Sequence, residues 1–105
     1  MNSDEKIFMQ RVTDVVLKNN YKIKEFYIDS KCFGNIVLVI SNGIETHHFY
    51  TDRGEIIFNN KPVRYMLSFD ERAIDIDFSY LPSLNTKFLF LTTLIKFFEY
   101  DTANQ

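Results

Sequence analysis

The stretch NIVLVISNG, residues 35–43, decides how this chain is expected to fold. It begins with a run of apolar, mostly β-branched residues, which pack well on the pleated surface of a sheet and favour a buried strand. The run leads into Asn42-Gly43, a dipeptide that accepts the positive φ angles of a tight hairpin turn. We therefore predict a central strand at residues 33–41 and a partner strand at residues 44–50.

A two-residue loop at Asn42-Gly43 would place Leu38 opposite His47 across this hairpin. Side chains alternate between the two faces of a strand, so the loop length also assigns the faces. One predicted face carries Ile36, Leu38, Ile40, Glu45, His47 and Phe49. The other carries Val37, Val39, Ile44, Thr46, His48 and Tyr50. Neither face of this hairpin is purely polar.

Apolar residues recur at helical spacing in two further parts of the chain. The first predicted helix covers residues 4–18 and begins with acidic side chains, which suit the positive end of a helix dipole. The second covers residues 84–100 and follows Pro82, a residue that ends a strand. Residues 88–91 also have strand character, which is the alternative interpretation of that stretch.

The other predicted strands are residues 21–29, 55–58, 63–69 and 74–80, with turns at residues 51–54 and 59–62. Alternation is imperfect along residues 21–29, which indicates a bulge or an edge position. It is cleanest along residues 63–80, where one side is apolar and the other polar, so both helices are expected on the apolar side. The predicted fold is α+β: an antiparallel five- to six-stranded meander sheet with an N-terminal and a C-terminal helix, forming a two-layer sandwich.

Composition indicates one globular domain, residues 1–105. The chain has 105 residues, 46% of them hydrophobic and 25% charged, and a net charge of −2. The negative charge argues against a nucleic-acid partner. The local basic candidates are Lys18, Lys22, Lys24 and Lys31. The single Cys32 cannot form an internal disulfide, and no apolar stretch is long enough to span a membrane, so we predict a cytoplasmic protein.

Few residues are candidates for catalysis or metal binding. His47 and His48 are neighbours in a predicted strand and point to opposite faces, so they cannot bind one ion. Glu45 shares a face with His47 but has no third ligand close in sequence. Cys32 follows Lys31, which favours a thiolate, yet a small residue in a turn is the simpler interpretation. Without a phosphate loop, Gly-x-Ser-x-Gly or Cys-x-x-Cys motif, we predict no enzyme, cofactor or metal.

The densest acidic cluster lies on the predicted hairpin of residues 63–80. Its members are Asp70, Glu71, Asp75 and Asp77. Alternation puts Asp75 and Asp77 on one exposed face, about 7 Å apart, and this face is either simply solvated or a docking surface for a basic partner. On a docking surface, Met66 would supply an apolar contact and Arg64 would orient Asp77. A divalent-cation site made by the two aspartates would lack a further oxygen ligand.

The predicted C-terminal helix is apolar around about half of its circumference, against about a third for the first helix. One sheet face cannot cover so wide an apolar surface. The helix is therefore expected to contact the first helix, a second subunit or a partner as well. In a homodimer joined through this helix, Phe90, Leu94 and Phe97 would form the seam.

Taken whole, the chain resembles the immunity proteins of bacterial polymorphic-toxin and contact-dependent inhibition systems. It shares their small size, acidity, richness in Phe, Ile, Asn and Lys, order of helix, meander and helix, and lack of a catalytic motif. The resemblance implies a protein that binds a cognate toxin domain, often a nuclease, and blocks its active site or substrate groove. A nuclease presents positive charge to phosphate, which would suit the acidic cluster. The alternatives are a homodimeric regulatory or ligand-binding domain, and an enzyme with His47 or His48 as its base.

Overall fold

The computed structural model describes residues 3–29, 31, 34–53, 55–62 and 86–103. The elements are α1 (Ser3–Lys18), β1 (Lys22–Asp29), β2 (Asn35–Ser41), β3 (Thr46–Asp52), β4 (Glu55–Phe58), β5 (Lys61–Pro62) and α2 (Thr86–Ala103). Neighbouring strands are antiparallel, and their order in the sheet is their order in the chain. The predicted α+β class and antiparallel meander are therefore confirmed.

The sheet has fewer full strands than predicted in the part of the chain that is described. Four strands have four or more residues, against the predicted five to six, and β5 adds only two residues at one edge. The strands predicted at residues 63–69 and 74–80 lie outside the described ranges. Residues 88–91 belong to α2, so the helical interpretation of that stretch is correct.

α1 ends in a Schellman motif formed by the residues that follow Lys18. The backbone N–H of Tyr21 donates to the carbonyl of Val16 at 3.2 Å, and that of Asn20 donates to the carbonyl of Leu17 at 3.1 Å. This motif requires a residue in the left-handed region, and Asn20 has a φ of +64°. It turns the chain directly into β1 and places Tyr21 in the core.

The β2–β3 hairpin is shifted by two residues from the predicted register. Leu38 pairs with Phe49 instead of His47, and the loop comprises residues 42–45. The cause is the side chain of Asn42, which bonds to two backbone N–H groups farther along and so stabilises a wider loop. A shift by two residues keeps every side chain on its face because strands have a period of two. The predicted assignment of Leu38 and Phe49 to one face is therefore correct.

Among the strands that the structure describes, β1 lies at one edge of the sheet, and it contains a bulge, as its imperfect alternation suggested. The register with β2 shifts between Ile23 and Glu25, which makes Lys24 the extra residue. Beyond the bulge, Phe26 and Ile28 pack against the core, as Ile23 does before it. The bulge and the exposed Lys24 also make this edge a poor template for pairing with another strand.

Two asparagines form the turn between β4 and β5. Asn59 and Asn60 have φ angles of +48° and +70°, which are the angles of a type I′ hairpin turn. The turn predicted at residues 59–62 is too long by two residues, because Lys61 and Pro62 form β5 and pair with β4. Asparagine tolerates these angles better than most residues, so the turn follows from local sequence.

Both helices pack on the face of the sheet that carries Leu38. The buried cluster comprises Phe8, Val12, Val16, Tyr21, Ile36, Leu38, Ile40, Phe49, Ile56, Phe58, Phe90, Leu94, Phe97 and Phe98. The ring of Phe8 in α1 lies 6.3 Å from that of Phe26 in β1 and 5.9 Å from that of Phe90 in α2, measured between centroids. The wide apolar surface of α2 is thus covered partly by the first helix.

The residues predicted to form a dimer seam are part of this core. Phe90, Leu94 and Phe97 are all buried, because α2 turns them toward the sheet and α1. The prediction that these three residues form a dimer seam is therefore wrong. A homodimer through α2 stays a prediction, and it would have to use exposed residues of the helix such as Ile95.

Replacing Leu38 by alanine tests the assignment of the two faces. Leu38 is fully buried, so L38A should lower the free energy of unfolding by about 2–5 kcal/mol, measured by urea denaturation. Val39 points to the opposite face and is partly exposed, so V39A should cost only about 1 kcal/mol. Equal losses in the two variants would contradict the assignment.

Candidate functional site

The predicted docking residues lie outside the described ranges, and so does Cys32. These docking residues are Asp70, Glu71, Asp75, Asp77, Met66 and Arg64, and their surface stays a prediction. Of the four predicted basic candidates, Lys18, Lys22 and Lys24 lie at the same end of the sheet as the β2–β3 loop. Lys31 follows β1 at the opposite end, so the structure does not gather all four lysines.

Polar side chains from distant parts of the chain meet at the β2–β3 loop. We call this region the hairpin end. It comprises residues 42–45, the side chains Tyr21 and His47 that bond to the loop, and their partners Asp101 and Asn59.

Side chains within the loop hold it in one conformation. Oδ1 of Asn42 accepts from the backbone N–H groups of Ile44 and Glu45, at 2.9 and 2.8 Å. The backbone N–H of Asn42 donates to the carbonyl of Glu45 at 3.2 Å, and that of Gly43 donates to Oγ of Ser41 at 3.1 Å. Gly43 has a φ of +93°, which other residues rarely adopt. Each backbone N–H from residue 42 to 45 is therefore bonded.

Tyr21 connects this loop to α2. Its hydroxyl donates to Oδ2 of Asp101 at 3.1 Å and accepts from Nδ2 of Asn42 at 3.3 Å. The pKa of Tyr21 is raised from 10.0 to about 12, and burial is the largest cause. The charge of Asp101, the hydrogen bond to it and the charge of Glu45 contribute in the same direction, while the bond from Asn42 acts in the opposite direction. The hydroxyl therefore keeps its proton and remains a donor to Asp101.

His47 is bonded through both of its ring nitrogens. Nε2 lies 3.2 Å from Oε2 of Glu45, and Nδ1 lies 3.2 Å from Nδ2 of Asn59. Oδ1 of Asn59 accepts from the backbone N–H of His48 at 2.8 Å, so its Nδ2 is the atom that donates to Nδ1. The neutral tautomer with its proton on Nε2 satisfies both contacts.

Aromatic rings hold the imidazole of His47 in place. It stacks on Phe58, with 5.6 Å between centroids and 20° between planes, and meets the edge of Phe97 at 4.8 Å. The ring of Tyr21 lies 6.1 Å away, and the side chain of His47 is 14% exposed. Packing on these sides leaves the imidazole little freedom to turn.

The hairpin end is built for rigidity more than for proton transfer. A general base needs a nitrogen that reaches a substrate proton, and both nitrogens of His47 are already engaged. His48 is exposed on the opposite face of β3, so the two histidines point to opposite faces, as predicted. Among the residues that the structure describes, no group of three or more His, Cys, Asp or Glu could hold a metal ion.

Sequence reasoning identified only part of this site. Glu45 and His47 were expected to share a face, and the structure brings them into contact. Asn59 was assigned only to a turn, and neither Tyr21 nor Asp101 was singled out. The pair Asn59-Asn60 was a usable signal, since asparagines at a turn often bond to nearby backbone groups.

Two adjoining clefts open beside the loop, and Asn20 and Asn42 line both of them. The larger, which we call the end cleft, has a volume of about 440 Å³. Its lining residues are Lys18, Asn19, Asn20, Tyr21, Asn42, Phe98, Asp101 and Thr102. The smaller has a volume of about 170 Å³, and Lys22, Lys24, Ser41 and Gly43 complete its lining.

Ile44 stands at the tip of the loop with 92% of its surface exposed. The loop uses only the backbone N–H of Ile44, which donates to Oδ1 of Asn42. A polar side chain at position 44 would therefore suit the fold equally well. The well-bonded loop thus holds an aliphatic side chain in solvent. Single exposed apolar residues are common, but this one stands on a well-bonded loop whose residues Asn42 and Gly43 line the clefts.

Alkaline pH should weaken the fold through Tyr21. The side chain ionises at 10.0 when unperturbed and at about 12 in the folded protein. Its stabilising contribution is therefore complete below pH 10 and is lost as the pH rises from 10 to 12. At pH 8, Y21F should lower the free energy of unfolding by about 1–2 kcal/mol because two hydrogen bonds are lost.

Urea denaturation from pH 8 to pH 12 measures this effect. The difference between the natural protein and Y21F should shrink between pH 10 and 12. Y27F, at an exposed tyrosine of β1, is the matched control and should unfold like the natural protein. A difference for Y21F that stays constant up to pH 12 would contradict the role of burial at Tyr21.

None of the helices in the described ranges is long and apolar enough to cross a membrane. The resemblance to immunity proteins stays a prediction from the sequence. Comparison of the chain with models of protein families, with curated proteins and with solved structures finds no match.

Proposed function

We propose that this chain is a binding inhibitor of the immunity-protein kind. It binds a cognate bacterial toxin domain and covers the active site or substrate groove of that domain. One observation carries the proposal. At the hairpin end, the Tyr21 hydroxyl and the His47 imidazole are hydrogen-bonded to neighbouring side chains, while the loop holds Ile44 in solvent. Such a region is better suited to binding a protein partner than to reacting with a substrate.

Rigidity of the loop supports binding. Association costs conformational entropy when loops must be ordered, and a loop that is already ordered avoids that cost. Residues 42–45 have their backbone N–H groups bonded before any partner arrives. Interfaces commonly combine an apolar centre with a polar rim, and here Ile44 would be the centre while Asn42 and Glu45 belong to the rim.

Charge supports a basic partner. The chain has a net charge of −2, and a toxin domain that acts on nucleic acid must present positive charge to phosphate. The acidic cluster at Asp70, Glu71, Asp75 and Asp77 adds to this argument as a prediction from alternation. Complementary charge of this kind mainly raises the association rate.

The homodimeric regulatory or ligand-binding domain is the alternative function. Its predicted seam residues Phe90, Leu94 and Phe97 fill the core, so no observation favours it over the inhibitor. An enzyme with His47 as its base is not favoured either, because His47 is engaged through both nitrogens, while one with His48 as its base stays a prediction.

A partner-capture experiment tests the inhibitor. The tagged chain, produced in its native host together with the product of the neighbouring gene, should hold a basic toxin domain at one to one by mass spectrometry. I44S should weaken this complex by about tenfold or more, because a central apolar contact is lost. I7S is the matched control, since Ile7 is 53% exposed on α1 and should leave the affinity unchanged. Recovery of the chain alone, as a dimer, would contradict the proposal.

Charge reversal tests the predicted acidic surface with the same toxin domain. Asp75→Lys combined with Asp77→Lys should slow association by about tenfold at low salt and make the rate less dependent on salt. The control reverses Asp14 and Glu25, two exposed residues on α1 and β1, and so changes the net charge equally. If both double variants associate as fast as the natural protein, the acidic cluster is not the binding surface.

A further inference from the structure

We propose that the smaller of the two clefts beside the β2–β3 loop binds a phosphate group that carries two negative charges. This cleft, which we call the lysine cleft, has a volume of about 170 Å³. Its lining residues are Asn20, Lys22, Lys24, Ser41, Asn42 and Gly43. The proposal goes beyond the proposed function and does not depend on it, because a phosphate ligand can bind whether or not the chain also binds a toxin domain.

The local backbone brings two lysine side chains to the lysine cleft. Lys22 begins β1 and pairs with Ser41, the last residue of β2. Lys24 is the extra residue of the β1 bulge, and bulges commonly change the direction of a side chain. Both lysines line the cleft although they carry the same charge. Two positive charges are thus held close together by the start of a single strand.

No acidic group neutralises these two charges. The lining of the lysine cleft contains no aspartate or glutamate. Within the described ranges, no carboxylate forms an ion pair with Lys22 or Lys24. Glu45, the acidic residue of the loop, contacts His47 instead. Like charges without a counter-ion create a positive potential, which attracts an anion into the cleft.

The adjoining end cleft contributes charges of both signs. Lys18 and Asp101 both line it, and the hydroxyl of Tyr21 donates to the carboxylate of Asp101. Because one of these two charges is positive and the other negative, they offset each other at a distance. The sign of the potential in the lysine cleft is therefore set by its own two lysines.

A buried hydroxyl in the wall of the lysine cleft has a proton to donate. Ser41 is 7% exposed, and its Oγ accepts from the backbone N–H of Gly43 at 3.1 Å. Among the residues that the structure describes, none accepts a hydrogen bond from this hydroxyl. A buried donor without an acceptor is unfavourable, and an anion with oxygen atoms in the cleft would supply the acceptor.

Asn20 adds an amide to the donors of the lysine cleft. Its left-handed conformation, with a φ of +64°, ends α1 and turns the chain toward β1. The side chain is exposed and lines the cleft, and it makes no hydrogen bond within the described part of the chain. The cleft therefore offers donors of three kinds: two ammonium groups, a hydroxyl and an amide.

The charge and number of these donors favour a phosphate monoester or free phosphate over other anions. Such a phosphate carries a charge of about −1.5 to −2 at neutral pH and has at least three strong acceptor oxygens, which matches two lysines and two neutral donors. A carboxylate has one charge on two oxygens. A phosphodiester of nucleic acid also has one charge, and the net charge of −2 of the chain disfavours nucleic acid as well.

Titration of the ¹⁵N-labelled full-length protein with inorganic phosphate, at constant ionic strength and about pH 7.5, tests the proposal. Phosphate should shift the backbone amide signals of residues 20, 22–24 and 41–43 with a Kd of about 1–10 mM. Acetate and dimethyl phosphate carry one negative charge each and should bind about tenfold more weakly or worse. Equal binding of acetate, or shifts spread over the whole protein, would overturn the proposal.

Glycerol 3-phosphate, titrated in the same way, distinguishes the two sources of the phosphate group. Tighter binding than that of inorganic phosphate would support the proposal and identify the ligand as an ester of a small molecule. Weaker binding would support the proposal and identify free phosphate as the ligand. If neither compound shifts the signals of the lysine cleft, the proposal is wrong.

Variants of the lining residues identify the groups that bind phosphate. Lys22→Gln and Lys24→Gln should each weaken binding by about fivefold, because a charged hydrogen bond is lost. Lys31→Gln is the matched control, since Lys31 is an exposed lysine at the opposite end of the sheet and should leave the Kd unchanged. Ser41→Ala should weaken binding by about threefold.

The lysine variants decide the outcome if Ser41→Ala disturbs the loop, which its amide spectrum without phosphate would show. Both lysines are exposed, so replacing them should leave the fold intact. Unchanged phosphate binding in Lys22→Gln and Lys24→Gln would overturn the proposal. An equal loss in Lys31→Gln would overturn it too, because the attraction would then come from the overall charge and not from the lysine cleft.

Discussion

Packing around the ring of Phe97 holds the helical layer and the sheet together at the hairpin end. Among the residues that the structure describes, the rings with centroids 4.8–6.2 Å from it include those of Tyr21, His47, Phe49, Phe58 and Phe98. They come from the entry to β1, from β3, from β4 and from α2 itself. Aromatic side chains bury large areas, so these contacts stabilise α2 on the sheet, and they also position the two polar side chains that carry the hydrogen-bond networks.

The properties of the site follow from that packing. Because the rings of Tyr21 and His47 are held, their polar atoms can bond to a short loop without a large loss of entropy. Asn42 then bonds to two backbone N–H groups of its own loop and to the hydroxyl of Tyr21. The loop is thus bonded to the entry of β1 and, through Tyr21, to α2, and it presents Ile44 at its tip. Rigidity of this kind favours recognition of a partner.

Local features of the chain were largely predictable. Asn42-Gly43 indicated a hairpin, and the imperfect alternation in β1 indicated a bulge or an edge position. The register of the hairpin was not predictable from the turn signal alone. It depends on the side-chain amide of Asn42, which stabilises a four-residue loop where the dipeptide also suits a two-residue one.

The sequence by itself determined the class of the fold, the face of β2 that meets the core and the shared face of Glu45 and His47, because these depend on short-range periodicity. Only the tertiary structure decided that Tyr21 meets Asp101, 80 residues away, and that Asn59 bonds to His47 across a strand pair. Periodicity states which way a side chain points, but not which other element it will meet. Which element a side chain meets depends on how the strands pair and on how α2 packs on the sheet.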